Sequence, residues 1–248
     1  MLLPTRPAEL AISAAIPEDS TPPGSENWIW TGRIRAGDLV TIVGDPGVGK
    51  TTLIVDWIIR LTTGSAFPEM GDQSPMSAGE VVVLNPFCDF ECDLRARVEQ
   101  AGGDPRRVID GWELIKADAP CGEGGARQCD ARFVEQLGRA LRNRPTVRMV
   151  IIDSAQLQLA FPDEKGFHQM LVQLACWARH RKIAIVLTVT PDRKRRGPGP
   201  EALIKSRSLI ELSNSIWRLT NTPAETEPME GRLLVCLKQM HEIGRAHV

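Results

Sequence analysis

No run of apolar residues in this chain of 248 reaches the roughly 18 needed to cross a bilayer, so no membrane partner is expected. The opening stretch Met1–Leu10 lacks a basic start followed by a long apolar segment. Pro4, Pro7 and Glu9 break it, and no secretory signal is expected. There is no basic excess either. Lys plus Arg number 30 against 31 Asp plus Glu, a formal net charge of −1, which leaves any nucleic-acid role to local patches. The six cysteines, at 88, 92, 121, 129, 176 and 236, form no C-x-x-C pair, which argues against a zinc ribbon or a redox motif. Cys88 and Cys92 suit one helix face, Cys121 and Cys129 have no matching spacing, and reduced thiols in a cytoplasmic setting are the expectation. The four histidines show no ligand spacing, so no histidine metal site is expected. The sequence has no internal repeat.

What is present is the composition of an ordinary folded protein, 42% hydrophobic and 25% charged. That excludes a mostly disordered chain, a collagen-like chain and a small disulfide scaffold. At about 150 residues per domain, the length allows one to two domains and one sizeable core.

Residues 1–26 are rich in proline (Pro4, Pro7, Pro17, Pro22, Pro23) and read as a flexible lead-in. Regular structure starts near Trp28. Leu39–Val43 is a short apolar run ending at Gly44, suited to a strand buried on both faces. Leu53, Ile54, Trp57, Ile58 and Leu61 then fall at helical spacing. The alternation repeats: strand at Val81–Leu84, helix from Asp93 to Gln100 ended by Gly102-Gly103, third strand at Val108–Ile115, helix at Asp130–Leu141. A strong strand follows at Val147–Ile152, then a helix at Gly166–Arg181 and a strand at Ile183–Val189. Ser215–Leu219 and Arg232–Leu237, separated by a polar run, suggest an antiparallel pair at the sheet edge. This pattern predicts an α/β fold, a mainly parallel sheet flanked by helices with antiparallel C-terminal edge strands, over residues 27–241. The last seven residues, Glu242–Val248, match a translated sequencing adapter. They are expected to be foreign to the natural chain, which is expected to continue past His241.

Chemistry concentrates in Gly44-Asp45-Pro46-Gly47-Val48-Gly49-Lys50-Thr51, which fits G-x-x-x-x-G-K-[ST]. A buried-strand pattern stops at Gly44 and a helical one begins at Gly49, the setting a phosphate-binding loop needs. Glycines let successive backbone N–H groups point inward, and the helix N-terminus adds partial positive charge. Lys50 would reach the β- and γ-phosphates and the Thr51 hydroxyl would ligate Mg²⁺, with Thr52 completing the loop. The strand Val147–Ile152 ends in Asp153, which fits a Walker B carboxylate holding the Mg²⁺ shell beside that loop. A Gly-rich turn and a strand-ending cap are the plainer readings of the same residues.

Trp28–Leu53, reading WIWTGRIRAGDLVTIVGDPGVGKTTL, resembles the opening of the RecA-like P-loop ATPases of the RepA/DnaB type, the replicative-helicase-like AAA family ATPases. The likeness runs on through Thr62-Thr63-Gly64, Val81–Leu84, Leu94-Arg95-Ala96-Arg97 and Ile151-Ile152-Asp153, and more weakly to the closing strands, over roughly 28–240. It implies a RecA-like P-loop NTPase core, ATP with Mg²⁺, and a homo-oligomeric ring, often a hexamer, acting on DNA in replication, recombination or mobile elements.

The chain departs from that pattern in two places. Relatives carry a water-polarising glutamate just after the second strand. Aligned on Leu94-Arg95, its position falls on Phe87, which cannot accept a proton. Asp89 is near enough to substitute as base, or else it caps the following helix together with Glu91. At the end of the Ile183–Val189 strand, where relatives carry polar sensors, this chain has Thr190-Pro191-Asp192, and Thr190 is the sensor candidate. Both changes spare the binding parts and weaken the hydrolytic ones.

Arg193, Lys194, Arg195 and Arg196 form a basic segment where the resemblance places a DNA-contacting loop. It has no aromatic for base stacking, and a solvated surface loop is the alternative. Ring ATPases complete each site with a neighbour's cation. Lys238 falls where relatives carry one, Arg207 is a second candidate, and an ordinary strand-end lysine is the plainer reading of Lys238. Trp28, Trp30 and Trp217 could be read as a base-stacking set, but they flank strand patterns and core packing is preferred. The sequence thus predicts an ATP-binding, DNA-associated motor domain. The alternative is a nucleotide-gated regulatory module with degenerate hydrolysis. A small-molecule kinase is a distant third, since no lid or acceptor-site pattern is visible.

Overall fold

The computed structural model describes residues 28–68, 76–85, 89–118, 132–153, 161, 163–191, 199–221 and 231–240. The elements in chain order are β1 (Trp28–Trp30), β2 (Ile34–Arg35), β3 (Leu39–Gly44), α1 (Lys50–Thr63), β4 (Glu80–Leu84), α2 (Ala96–Gln100), β5 (Val108–Asp110) and α3 (Gly111–Asp118). They continue with α4 (Phe133–Ala140), β6 (Val147–Asp153), α5 (Glu164–Arg181), β7 (Ala184–Val189), α6 (Arg207–Leu212), β8 (Ser215–Asn221) and β9 (Arg232–Gln239). β1 and β2 make a small antiparallel hairpin. The other strands form a seven-stranded sheet in the order β5-β4-β6-β7-β3-β8-β9, parallel throughout except for β9 against β8.

Alternation along the central strands divides the core between the two faces of this sheet. Val40 and Ile42 of β3, Val81 and Val83 of β4, and Met149 and Ile151 of β6 face the side covered by α1 and α2. Leu39 and Val43, Val82 and Leu84, and Val150 and Ile152 face α3, α4, α5 and α6. Both faces are thus covered, which is why these strands read as mostly apolar runs, with Thr41 buried on a hydrogen bond to Ser213. Leu53, Ile54, Trp57, Ile58 and Leu61 form the buried stripe of α1, as their spacing predicts. Trp30 and Trp217 are core residues, and Trp30 lies edge-on to Trp57 and stacked on Phe67. Trp28 is half-buried beneath the Arg35 guanidinium. Core packing therefore accounts for these tryptophans.

The predicted third strand, Val108–Ile115, is half strand and half helix. The Asp110 carboxylate accepts from the N–H groups of Trp112 (2.8 Å) and Glu113 (3.3 Å) and starts α3, whose Trp112 and Ile115 bury one turn apart. The helix expected from Asp93 starts earlier, as a π-helical turn over Phe90–Arg95 leading into α2. α5 starts at Glu164, two residues before the predicted Gly166, because Asp163 caps it through the Gly166 N–H at 2.7 Å. The hairpin β1–β2 and the short helix α6 are additional to the sequence reading. The closing strands pair antiparallel as predicted, with Ser215↔Gln239 and Asn221↔Arg232 at the ends of the ladder. No helix among the described residues is long and apolar enough to cross a membrane.

Two glycines separate backbone strain from steric clash. Gly64 ends α1 at φ 76°, and a Cβ there would collide with the Met76 carbonyl. Gly102 has φ 89° with nothing within 4 Å. Gly102→Ala should cost about 1 kcal/mol, the left-handed penalty alone. Gly64→Ala should cost more, about 2–4 kcal/mol, because backbone must also move. Equal losses in denaturant unfolding would contradict the assigned conformations.

Candidate functional site

β3 lies between β7 and β8, and its C-terminal end at Gly44 opens directly into the loop that starts α1. Close packing shapes the turn. A Cβ on Gly44 would sit 2.9 Å from both the Leu219 carbonyl of β8 and Cγ1 of Val48. Gly47 at φ 78° and Gly49 at φ 102° take left-handed conformations that other residues resist, so the chain turns back onto the helix axis within five residues. Asp45, Pro46 and Gly47 are exposed, Val48 is buried, Lys50 and Thr51 are half-buried, and Thr52 faces solvent. The α1 N-terminus has no side-chain cap, which leaves its first N–H groups available to an anion.

The Lys50 ammonium folds back over the loop, with Nζ donating to the carbonyls of Gly44 (2.6 Å) and Asp45 (3.0 Å). Burial lowers its pKa below the ordinary lysine range, against the opposing pull of Asp153 and then Asp45. That pull places Asp153 in the electrostatic neighbourhood of Lys50, although β7 intervenes between β3 and β6.

Asp153 ends β6 and is held from both flanking strands. Thr188 of β7 lies beside it in register and donates its hydroxyl to Oδ1 at 2.5 Å. Asn85, which follows β4, donates Nδ2 to Oδ2 at 3.1 Å. Two neutral donors fix the carboxylate plane without cancelling its charge. Thr51 and Asp153 supply hard oxygens of the type Mg²⁺ takes, usually through retained waters, so the residues fit such an ion.

The other sequence candidates are more dispersed. Asp89 caps the π-helical turn, its Oδ1 accepting from the N–H groups of Cys92 (2.9 Å) and Glu91 (3.1 Å). The bond from Cys92 leads in lowering its pKa. Thr190 is exposed just past the end of β7. Lys238 pairs with Ile216, whereas Gly44 pairs with Leu219, so Lys238 lies toward the far end of β8 from the loop. Its Nζ donates to the carbonyls of Ile210 (2.6 Å) and Glu211 (3.0 Å) at the C-terminal end of α6. Arg207 is on the exposed side of α6 and pairs with Glu211 at 2.7 Å. Phe87 and the basic residues Arg193, Lys194, Arg195 and Arg196 lie outside the described residues.

Anchors bracket that basic segment. β7, which precedes it in sequence, ends at the same end of the sheet as Asp153. After it, Glu164 of α5 accepts from the Ser206 hydroxyl (2.7 Å) and the Ser208 N–H (3.0 Å) at the start of α6. Burial would raise the Glu164 pKa, but these bonds outweigh it and keep it low.

Three residues at the site were missed by sequence reasoning. Thr188 had a usable signal, a hydroxyl within an apolar strand and on the same face as Thr190. Asn85 had a weaker one, its place directly after β4. Arg232, whose Nε donates to the Val48 carbonyl at 2.9 Å, had none, because only the fold brings β9 to the loop.

A family model described as an AAA domain matches residues 5–196. No curated protein matches the sequence. Among solved structures, an ATPase domain superposes with a TM-score of 0.56 at 13% identity, covering 84% of this chain and 78% of that one. A KaiC-like protein, PH0186 from Pyrococcus horikoshii OT3, gives 0.51 at 15% identity, covering 83% and 81%. At these identities the likeness speaks for the fold, a RecA-like P-loop core. The family match spans most of the sequence, and with the loop, sheet order and edge strands described above it shows that this chain belongs to the AAA domain family, on a RecA-like P-loop fold.

Proposed function

We propose that the protein binds ATP with Mg²⁺ in the loop from Gly44 to Thr52 and hydrolyses it slowly, as the motor domain of a cytoplasmic, DNA-associated, ring-forming ATPase of replication, recombination or mobile elements. The observation that carries the reading is the placing of Lys50, at the uncapped start of α1, and Asp153 at one end of the sheet, since β3, β7 and β6 run parallel and in register.

The parts act by position and charge. The N–H groups of the loop and of α1's first turn take the phosphate oxygens. Lys50 Nζ exchanges the Gly44 and Asp45 carbonyls for phosphate oxygens, replacing two neutral acceptors with charged ones. The Thr51 hydroxyl and the Asp153 carboxylate would hold Mg²⁺, which would supply charge neutralisation at the phosphates. Asp89 is the candidate base and Thr190 the candidate γ-phosphate sensor. Lys238 or Arg207 would serve a neighbouring subunit, and for Lys238 that means leaving the α6 carbonyls. Arg193, Lys194, Arg195 and Arg196 would give DNA backbone contacts without sequence reading.

One observation favours a second reading, a nucleotide-gated regulatory module. The Asp89 carboxylate is already committed to two backbone N–H groups, while the position of the usual glutamate carries Phe87. DNA-stimulated phosphate release separates the two readings. Turnover that rises with DNA and is lost in Lys50→Ala supports the motor. Nucleotide binding without turnover supports the switch.

Three outcomes are expected. Lys50→Ala abolishes ATP binding in calorimetry, and unchanged affinity would refute the phosphate cradle. Thr188→Val removes one donor to Asp153 and weakens the magnesium-dependent part of ATP affinity by about tenfold while sparing metal-free binding. Reversal of Arg193, Lys194, Arg195 and Arg196 to glutamate sharply weakens DNA binding at low salt, and an unchanged binding isotherm would remove that segment from the proposal.

A further inference from the structure

The peptide unit joining Val48 to Gly49 runs from a buried side chain to a glycine. Gly49 is left-handed at φ 102°, and Gly47, on the other side of Val48, is left-handed at φ 78°. Turning this plane over changes ψ of Val48 and φ of Gly49, and because glycine tolerates both signs of φ, Gly49 does not by itself hold the plane in one orientation. Its orientation matters, because in a trans peptide the C=O and N–H point in opposite directions. When the Val48 carbonyl faces outward, the Gly49 N–H faces into the phosphate cradle at the start of α1. When the plane is flipped, a carbonyl oxygen faces the phosphates instead.

The half-buried Arg232, the first residue of β9, holds that carbonyl outward. Its Nε donates to the Val48 oxygen at 2.9 Å, and its Nη1 lies 3.4 Å from the Gly231 oxygen. The contact comes from the sheet edge, where Arg232 pairs with Asn221, two residues beyond the Leu219 that packs against Gly44. The same Nε is 3.9 Å from where a Cβ on Gly49 would stand. The loop is therefore braced by two cations. Lys50 ties the carbonyls of Gly44 and Asp45, and Arg232 ties that of Val48.

We propose that Arg232 is a positioning residue for nucleotide binding, fixing the Val48–Gly49 peptide so that the Gly49 N–H is aimed at the β-phosphate of a bound nucleoside di- or triphosphate. This rests on the reading of the loop as a nucleotide site. Because Arg232 acts on the backbone from outside the cradle, its loss affects ATP and ADP alike, whereas a direct γ-phosphate contact would affect ATP alone.

The test compares wild type, Arg232→Ala, Arg232→Lys and Lys50→Ala by calorimetric titration with ATP and with ADP, alongside thermal unfolding without nucleotide. The expected result is a loss of about tenfold for both nucleotides in Arg232→Ala, with an unfolding midpoint close to wild type. In Arg232→Lys, which keeps a donor, affinity should stay within about threefold of wild type. A second measurement needs no folded alanine variant: the Gly49 amide resonance of wild type should move strongly downfield when ADP binds. Wild-type affinity in Arg232→Ala, a loss confined to ATP, or a stationary Gly49 resonance in protein that does bind ADP would each overturn the proposal and leave the nucleotide site standing. Failure of wild type itself to bind either nucleotide would overturn the site reading and this inference together.

Discussion

The Asp153 carboxylate, pinned between the Thr188 hydroxyl and the Asn85 amide, is the contact on which the site depends. β6 and β3 are not neighbours, since β7 runs between them, so a loop on one and a carboxylate on the other meet only if the three strands stay in register. Register in a sheet buried on both faces is strongly specified, because a one-residue slip moves every side chain to the wrong layer. The two-faced core thus does more than stabilise the fold. By fixing Thr188 beside Asp153, it keeps the carboxylate facing the end of β3, where Lys50 begins α1.

The loop itself is built from opposing constraints. Gly44 is packed too tightly for a side chain, while Gly47 and Gly49 supply turns that most residues resist. Such a loop would be loose if nothing held its carbonyls. Lys50 holds two and Arg232 a third, so the polar groups opposite the inward-facing N–H groups have partners. The edge strand β9 carries both Arg232 and Lys238, and Lys238 holds the last carbonyls of α6. β9 is therefore a strut between the nucleotide loop and the helix that follows the basic segment.

Much of this was legible in the sequence, for a physical reason. Doubly buried strands are apolar at most positions, so Leu39–Val43, Val81–Leu84 and Val147–Ile152 declare themselves, and a helix packed on the sheet must carry the stripe that Leu53 to Leu61 carry. The loop was legible because its glycines and lysine are set by local chain geometry. The Val108–Ile115 reading failed because Asp110 ends the strand and caps a helix, and apolar residues on both sides of it hide that change. Residues acting across strands were the least visible. Thr188 touches Asp153 from 35 positions away and Arg232 touches Val48 from 184, separations that no local pattern encodes.

The most direct measurement is a crystal structure of the protein grown with a non-hydrolysable ATP analogue and Mg²⁺. The account predicts the phosphates seated on the N–H groups between residues 44 and 52, Lys50 swung onto them, and the metal's water shell held by Asp153. An empty loop in crystals that bind the analogue elsewhere, or a metal site remote from Asp153, would contradict it.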